Sequence, residues 1–280
     1  DLSLEASVGD LIGEYSFGDL AYKVTGRYSN KWELTETDWA SYSTVGNGEI
    51  EEADEYIQTR AVNEIDLNGA LALSLMEDDY SFFSNTMLLR QTQVDSSEEA
   101  GIRGEYRNFT INREYTWQER EFFMQQFSGD VYFPEKLDAS IKWGATIASA
   151  KLDAPDSRSY TLSSNNEIPL DNLFNPLAQD ETSQAEISMS TNPKRDFTKL
   201  EDDASDFQVS GDMALLENDD YQIRLKAGFS ILNRDRKVDS TTYVYSLPNG
   251  QSGLNDDYKN EQDIANVIND TSVGKGDFTV

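Results

Sequence analysis

The sequence lacks two residue types altogether, because none of its 280 residues is a cysteine or a histidine. Disulfides, thiolate chemistry and zinc sites of the usual kind are therefore excluded. Catalytic systems in which histidine activates a serine or cysteine nucleophile are excluded for the same reason. Gly9, Gly13 and Gly18 lack the spacing of phosphate-binding loops. We expect a protein that is not an enzyme, with no catalytic, cofactor-binding or metal-binding residues and no cofactor.

Long apolar runs and basic residues are also scarce. The longest apolar stretch, near residues 69–76, is far shorter than the roughly 18 residues of a transmembrane helix. Lysine and arginine number 23 against 52 acidic residues, which gives a net charge of −29. Because nucleic acids are polyanions, we expect no nucleic-acid partner. Aromatic residues make up 11% of the chain and argue against disorder.

Apolar and polar residues alternate with a period of two in four segments, at residues 20–34, 65–75, 137–147 and 221–231. This period is typical of β-strands with one apolar face. All six prolines lie between or at the ends of such segments, where no ladder donor is lost. The faces of residues 80–94 are ambiguous, and Gly9-Asp10 is a candidate turn. We predict an all-β fold of about eight antiparallel meander strands.

The predicted connections differ in length at the two ends of the strands. Short polar turns occupy residues 76–79, 134–136 and 217–220, with about ten residues of apolar alternation or enrichment on each side. Long polar connections are predicted at residues 35–53, 95–101, 155–206 and 249–276. This asymmetry is typical of outer-membrane barrels, with short periplasmic turns and long extracellular loops. We expect aromatic residues beside the turns to form a membrane-interface girdle: Tyr80, Tyr132, Phe133 and Tyr221.

Four motifs follow one another along the chain. An Arg/Glu-rich strand at residues 113–121 precedes a strand with Leu137 and Lys142-Trp143. A loop at 153–160 (DAPDSRSY) follows, and then a strand that continues from residues 226–229 into residues 233–236, with Arg234 and Arg236. In this order, the motifs resemble the barrel strands of TonB-dependent outer-membrane receptors. The resemblance implies a barrel of about 22 strands with an N-terminal plug that engages TonB. We therefore expect residues 1–280 to form the N-terminal half of one barrel domain, without the plug.

The resemblance also implies a function and a place in the cell. A receptor of this kind lies in the bacterial outer membrane and imports a scarce solute, such as a siderophore, cobalamin or an oligosaccharide. Its expected partners are outer-membrane lipid, the solute, and TonB through the plug. Residues 277–280 look like the start of another strand, so we expect the chain to be a segment of a longer protein.

Three features are candidates for ligand contact. Cations on the predicted polar strand faces could line the lumen: Lys23, Arg27, Lys31, Arg224 and Lys226. Two acidic clusters could bind calcium, although both lack the spacing of a calcium loop: Glu49, Glu51, Glu52, Asp54 and Glu55, and then Glu201, Asp202, Asp203 and Asp206. The connection at residues 155–206 could fold over the barrel mouth and help to capture the ligand.

Two other protein classes fit parts of the sequence. The first is a soluble, secreted β-rich binding or adhesion protein, with or without a requirement for calcium, in which the apolar strand faces would bury against each other. The second is an acidic hydrolase with paired carboxylates. The second has little support, because pairs of carboxylates arise by chance among 52 acidic residues.

Overall fold

The computed structural model describes residues 1–44, 48, 50–103, 108–134, 138–164, 187–217 and 221–246. Within these ranges the regular secondary structure is β-strand, and no helix long and apolar enough to cross a membrane is found. The eight strands are β1 (Leu2–Tyr15), β2 (Gly18–Thr44), β3 (Ile50–Met76), β4 (Tyr80–Arg103), β5 (Asn108–Phe133), β6 (Ala139–Ser164), β7 (Ile187–Glu217) and β8 (Gln222–Val244).

The strands form one antiparallel sheet in which each strand pairs with its neighbours in the sequence. The predicted all-β class, the eight strands and the meander topology are confirmed. β1 and β8 are the edges of the sheet, and the two do not pair with each other within the described chain. The sheet is therefore open, and its architecture alone does not establish a closed barrel.

We call the end of the sheet that carries the short turns the turn end. The predicted turn between β3 and β4 is confirmed, and the amide of Glu77 donates to the carbonyl of Tyr80 at 2.9 Å. β5 ends at Phe133 and β7 ends at Glu217, as the other two predicted turns require. Residues 135–137 and 218–220 of those turns lie outside the described residues.

The predicted turn at Gly9-Asp10 is wrong. Gly9 and Asp10 do not turn, because β1 continues through them and pairs them with Lys23 and Tyr22. A Cβ atom on Gly9 would lie 2.8 Å from the Tyr22 carbonyl oxygen, so this glycine allows close strand approach. The chain turns instead just before Gly18, whose φ of +115° favours glycine.

We call the opposite end of the sheet the far end, and here most of the predicted long connections are wrong. β2 extends to Thr44 and β3 starts at Ile50, while residues 95–101 lie inside β4. Residues 155–164 belong to β6 and residues 187–206 to β7. Strand pairing satisfies the backbone whatever the side chains are, so strands continue where both faces are polar and alternation disappears. Residues 249–276 lie outside the described residues.

Most of the apolar side chains that are well buried gather at the far end. The buried apolar residues of the described chain are Tyr56, Ala100, Ile102, Ile111, Tyr160, Ala214 and Tyr245, and of these only Ala214 lies near the turn end. The ring of Tyr56 stacks on that of Trp39, with centroids 4.7 Å apart. The rest of the sheet is a single layer, so its two faces decide what the protein can contact.

Candidate functional site: the two faces of the sheet

The strand register places apolar side chains on one face of the sheet. Leu20, Leu75, Phe82, Gly129, Trp143, Val209 and Phe229 form one continuous cross-strand row. Residues two positions away on the same strand lie on the same side. We call this side the apolar face and the other side the polar face. The ambiguous strand, β4, places Phe82 and Leu88 on the apolar face and Phe83 and Leu89 on the polar face.

The apolar face carries a continuous belt next to the turn end. It includes residues 20–28, 65–75, 80–88, 123–133, 139–147, 207–213 and 223–231, which is seven to eleven residues per strand. Its side chains are open to the surroundings: Leu71 is 38% exposed, Ile141 43%, Leu225 49% and Phe229 56%. No second layer of described residues covers them. An apolar surface of this extent is typical of contact with a membrane or a protein.

The polar side chains inside the belt hydrogen-bond to one another. The Oγ1 of Thr86 donates to the Oε1 of Gln125 at 2.6 Å, and the Nε2 of Gln125 donates to the Oγ of Ser84 at 3.0 Å. All three lie on the apolar face. Such mutual pairing lowers the cost of placing these groups in a medium without water.

Aromatic side chains lie along the turn end of the belt. Tyr15 and Phe17 stack at 5.0 Å, and the hydroxyl of Tyr80 donates to the Phe17 carbonyl at 2.5 Å. Tyr80 and Phe133 lie on the apolar face, as a girdle requires, and Tyr221 precedes β8 and is exposed. Tyr132 does not fit, because alternation places it on the polar face, where it donates to Asp138.

Charged side chains border the belt on its other side. Directly opposed residues on five strands alternate in sign along one row of the apolar face: Arg90, Glu121, Lys151, Glu201 and Lys237. We call this row the charge collar. A nitrogen of Arg90 also lies 2.7 Å from a carboxylate oxygen of Glu119. Opposite charges on facing strands favour this register, and the collar defines where the belt ends.

The five predicted lumen cations all belong to the polar face but do not form one site. Lys23, Arg27 and Lys31 are exposed along β2. Arg224 is on β8, where its Nη2 donates to Asp212 at 2.6 Å and its Nη1 donates to Asp138. Hydrogen bonds from Tyr132 and then Arg224 hold the pKa of the Asp138 carboxyl below its usual range. Lys226 is also on β8. The five cations therefore lie on two strands, β2 and β8, that are at opposite sides of the sheet.

The described members of the two predicted acidic clusters do not form a calcium site. Glu201 and Asp203 lie on the apolar face, whereas Asp202 and Asp206 lie on the polar face. Among the described residues, no group of three or more acidic side chains is arranged to hold a metal. Glu49 and the side chains of Glu51 and Glu52 lie outside the described residues, while the other two members are on β3: Asp54 and Glu55. Asp54 accepts a hydrogen bond from Ser41 at 2.7 Å.

An arginine pair on the polar face has a partner that the sequence did not reveal. The Nε of Arg234 donates to Asp202 Oδ1 at 2.7 Å, and the Nε of Arg236 donates to Asp202 Oδ2 at 3.0 Å. The Nη2 groups of both arginines also donate to Asp202. These hydrogen bonds, from Arg234 first and then Arg236, hold the pKa of the Asp202 carboxyl below its usual range. The Arg-x-Arg spacing places both arginines on one face, but only the register identifies the aspartate.

The far end has its own ion-pair network. Asp156 has a φ of +86° and binds two arginines on neighbouring strands. The Nε and Nη2 of Arg195 donate to it at 2.6 and 2.8 Å, and Arg158 donates as well. The Nη1 of Arg113 donates to the hydroxyl of the buried Tyr160 at 2.9 Å. Residues 155–164 and 187–206, which were predicted to fold over a barrel mouth, extend the sheet as parts of β6 and β7. The rest of that predicted connection, residues 165–186, lies outside the described residues.

Comparison with known proteins adds no evidence about the function of these faces. No family model, characterised protein or solved structure matches the chain. A functional assignment depends on the belt, the collar and the polar face.

Proposed function

We propose that this chain is part of an outer-membrane β-barrel, with the apolar face toward lipid and the polar face toward the interior. The observation that supports this most directly is the belt itself. On each strand the belt spans seven to eleven residues, and alternate residues point to the uncovered apolar face. This is close to the roughly nine to eleven residues that a tilted strand needs to cross a bilayer. The turn-end aromatics would lie at one interface and the charge collar at the other.

The distribution of polarity supports a membrane protein over a soluble sandwich. A sandwich buries the apolar faces of two sheets against each other. Here the described strands form one layer, and the apolar side chains of the belt are uncovered, while the opposite face of the belt carries cations such as Lys23 and Arg224. A polar interior with an apolar exterior is the arrangement of transmembrane barrels.

The open edges support a barrel that is larger than the described sheet. β1 and β8 each present unpaired backbone groups along one side. On β8, this open edge is as long as the strand itself, Gln222–Val244. Unpaired edges are unstable in lipid, where no water satisfies the backbone. In our proposal, further strands of a longer protein pair with these edges and close the barrel.

The receptor assignment rests on the resemblance to TonB-dependent receptors. In that reading, the complete protein binds a scarce solute at the cell surface and imports it with energy delivered through TonB. The polar face would line the path, with Lys23, Arg27 and Lys31 on one strand and Arg224 and Lys226 on another. The siderophore, cobalamin and oligosaccharide classes are all compatible with this wall.

Site-specific lipid exposure tests the barrel, and because these 280 residues contain no cysteine, an introduced cysteine is the one thiol among them. Single cysteines would replace Leu71, Ile141 and Leu225 on the apolar face of the longest gene product. Matched controls would replace the adjacent polar-face residues Ala70, Lys142 and Lys226. Outer membranes would be treated with a maleimide carried on a lipid, and uptake of the three solute classes would be measured in the same cells with and without a protonophore.

We expect the three apolar-face positions to label and their neighbours not to label. Equal labelling of both sets would reject the barrel and leave a soluble β-rich binding protein as the working model. Energy-dependent accumulation of one solute class would support the receptor. A labelled barrel without such accumulation for any class would reject the TonB-coupled assignment and retain the barrel.

A further inference from the structure

One region of the polar face is apolar, which is unusual for the interior wall of a membrane barrel. Met87 and Met124 are directly opposed on β4 and β5, and one row away Leu89 is opposed to Phe122. Leu89 is 37% exposed. Alanines continue both rows across β6 and β7, and their short side chains leave space above the sheet: Ala148, Ala150 and Ala204.

Both rows end on the arginine pair of β8. The register runs from Met124 through Ala148 and Ala204 to Arg234. The second row runs from Phe122 through Ala150 and Asp202 to Arg236. The distance from β5 to β8 is three strand spacings, or about 14 Å. We call this combined region the inner patch. It joins an apolar floor to two cations.

Asp202 holds both arginines in place without using all of their donors. Its side chain is 10% exposed, whereas those of Arg234 and Arg236 are 54% and 51% exposed. The aspartate occupies the Nε and Nη2 groups, and the Nη1 groups have no partner among the described residues. Two cations against one carboxylate leave a local excess of positive charge in a chain whose net charge is −29.

We propose that the inner patch binds an amphipathic organic anion. In the proposed receptor, this is the class of solute that passes along the polar face. An aromatic or acyl body would lie on Phe122, Met124 and Leu89. A carboxylate, sulfonate or phosphate would accept hydrogen bonds from Arg234 and Arg236, whose forked donors suit such groups. This inference rests on the proposed function, because the polar face must line an interior for the patch to meet a solute.

Calorimetric titration with two matched probes would test the site on the full chain in lipid nanodiscs. Naphthalene-2-sulfonate is the anion, and naphthalene-2-sulfonamide is its neutral analogue. The main variant combines Asp202→Asn, Arg234→Gln and Arg236→Gln, which removes the charges without leaving an unpaired buried carboxylate. The matched control combines Lys151→Gln and Lys237→Gln, which removes two cations from β6 and β8 on the opposite face.

We expect the main variant to weaken sulfonate binding about tenfold or more, since charged hydrogen bonds of this kind are lost, and to leave sulfonamide binding unchanged. The lysine control should bind both probes like the parent. Leu89→Asn should weaken both probes, because it acts on the apolar floor. If the main variant does not fold, Arg234→Lys with Arg236→Lys keeps the charge but loses the fork, and it should give a smaller selective loss for the sulfonate.

The site would be rejected by equal sulfonate affinity in the parent and the arginine variants, or by an equal loss in the lysine control. It would also be rejected if the parent bound neither probe, for example because another part of the longer protein covers the patch. Cysteine labelling separates this failure from failure of the barrel. Labelled apolar-face positions without arginine-dependent binding retain the barrel, whereas unlabelled positions reject the barrel itself.

Discussion

The turn end and the far end of the same strands are stabilised in different ways. Near the turns, apolar side chains on one face are exposed and polar groups such as Thr86 and Gln125 bond to each other. At the far end, Tyr56 and Tyr160 are buried, and Arg113 donates to the hydroxyl of Tyr160. A second arginine, Arg195, donates to the carboxylate of Asp156. In the barrel that we propose, the first end would meet lipid and the second end would meet water. Each prediction below acts on one end only.

A charge placed in the belt should have the largest effect. Leu71 lies near the middle of the belt on β3, so Leu71→Arg should destabilise the protein in lipid vesicles by about 2–4 kcal/mol. Ala70→Arg is the control, because the adjacent side chain points to the polar face and is exposed. Urea unfolding of the longest gene product in vesicles measures both. Similar losses for the two variants would contradict the assignment of the apolar face to lipid.

A methyl group added at the far end should have the next largest effect. A Cβ atom on Gly101 would lie 1.9 Å from the carbonyl oxygen of Glu55, so Gly101→Ala must displace β3 or β4. We expect a loss of about 1–3 kcal/mol, as for other overpacked sites. Gly69→Ala is the control in the same hairpin, because nothing lies within 4 Å of its Cβ position. Denaturant unfolding would compare them, and a loss confined to Gly69→Ala would show that the two strands do not approach closely at Gly101.

The two ends also differ in what could be predicted from the sequence. Alternation predicted the strands and the faces of Leu71, Ile141 and Leu225 because one face of the belt is consistently apolar. It could not predict that β2 reaches Thr44 or that residues 95–101 are strand, since polar side chains on both faces leave no period. The pairing of Asp202 with Arg234 and Arg236 could not be predicted from the sequence either. It depends on register, which bulges such as that between Ala214 and Leu216 can shift.

The smallest effect should come from the far-end ion pairs, and it should depend on pH. Partial burial favours the neutral acid at Asp156, but hydrogen bonds from Arg158 and Arg195 outweigh it and hold the pKa of this carboxyl below its usual range. A depressed folded-state pKa stabilises the protein above the unfolded pKa of about 3.9, and this contribution is lost as the pH falls through the folded value.

Asp156→Asn removes the charge and keeps a side chain that tolerates the positive φ of 86° at this position. We expect a loss of about 1–2 kcal/mol at pH 7. The difference between the parent and the variant should shrink as the pH falls below 4, because the parent carboxylate then becomes protonated. Asp239→Asn is the control, since that carboxylate is exposed and pairs with Lys237 on the same strand, and it should change stability little. Unfolding curves of the parent and both variants at several pH values would measure these differences in stability. A difference that stays constant down to pH 2 would mean that Asp156 acts through its shape rather than its charge, and that the far end does not depend on this ion pair.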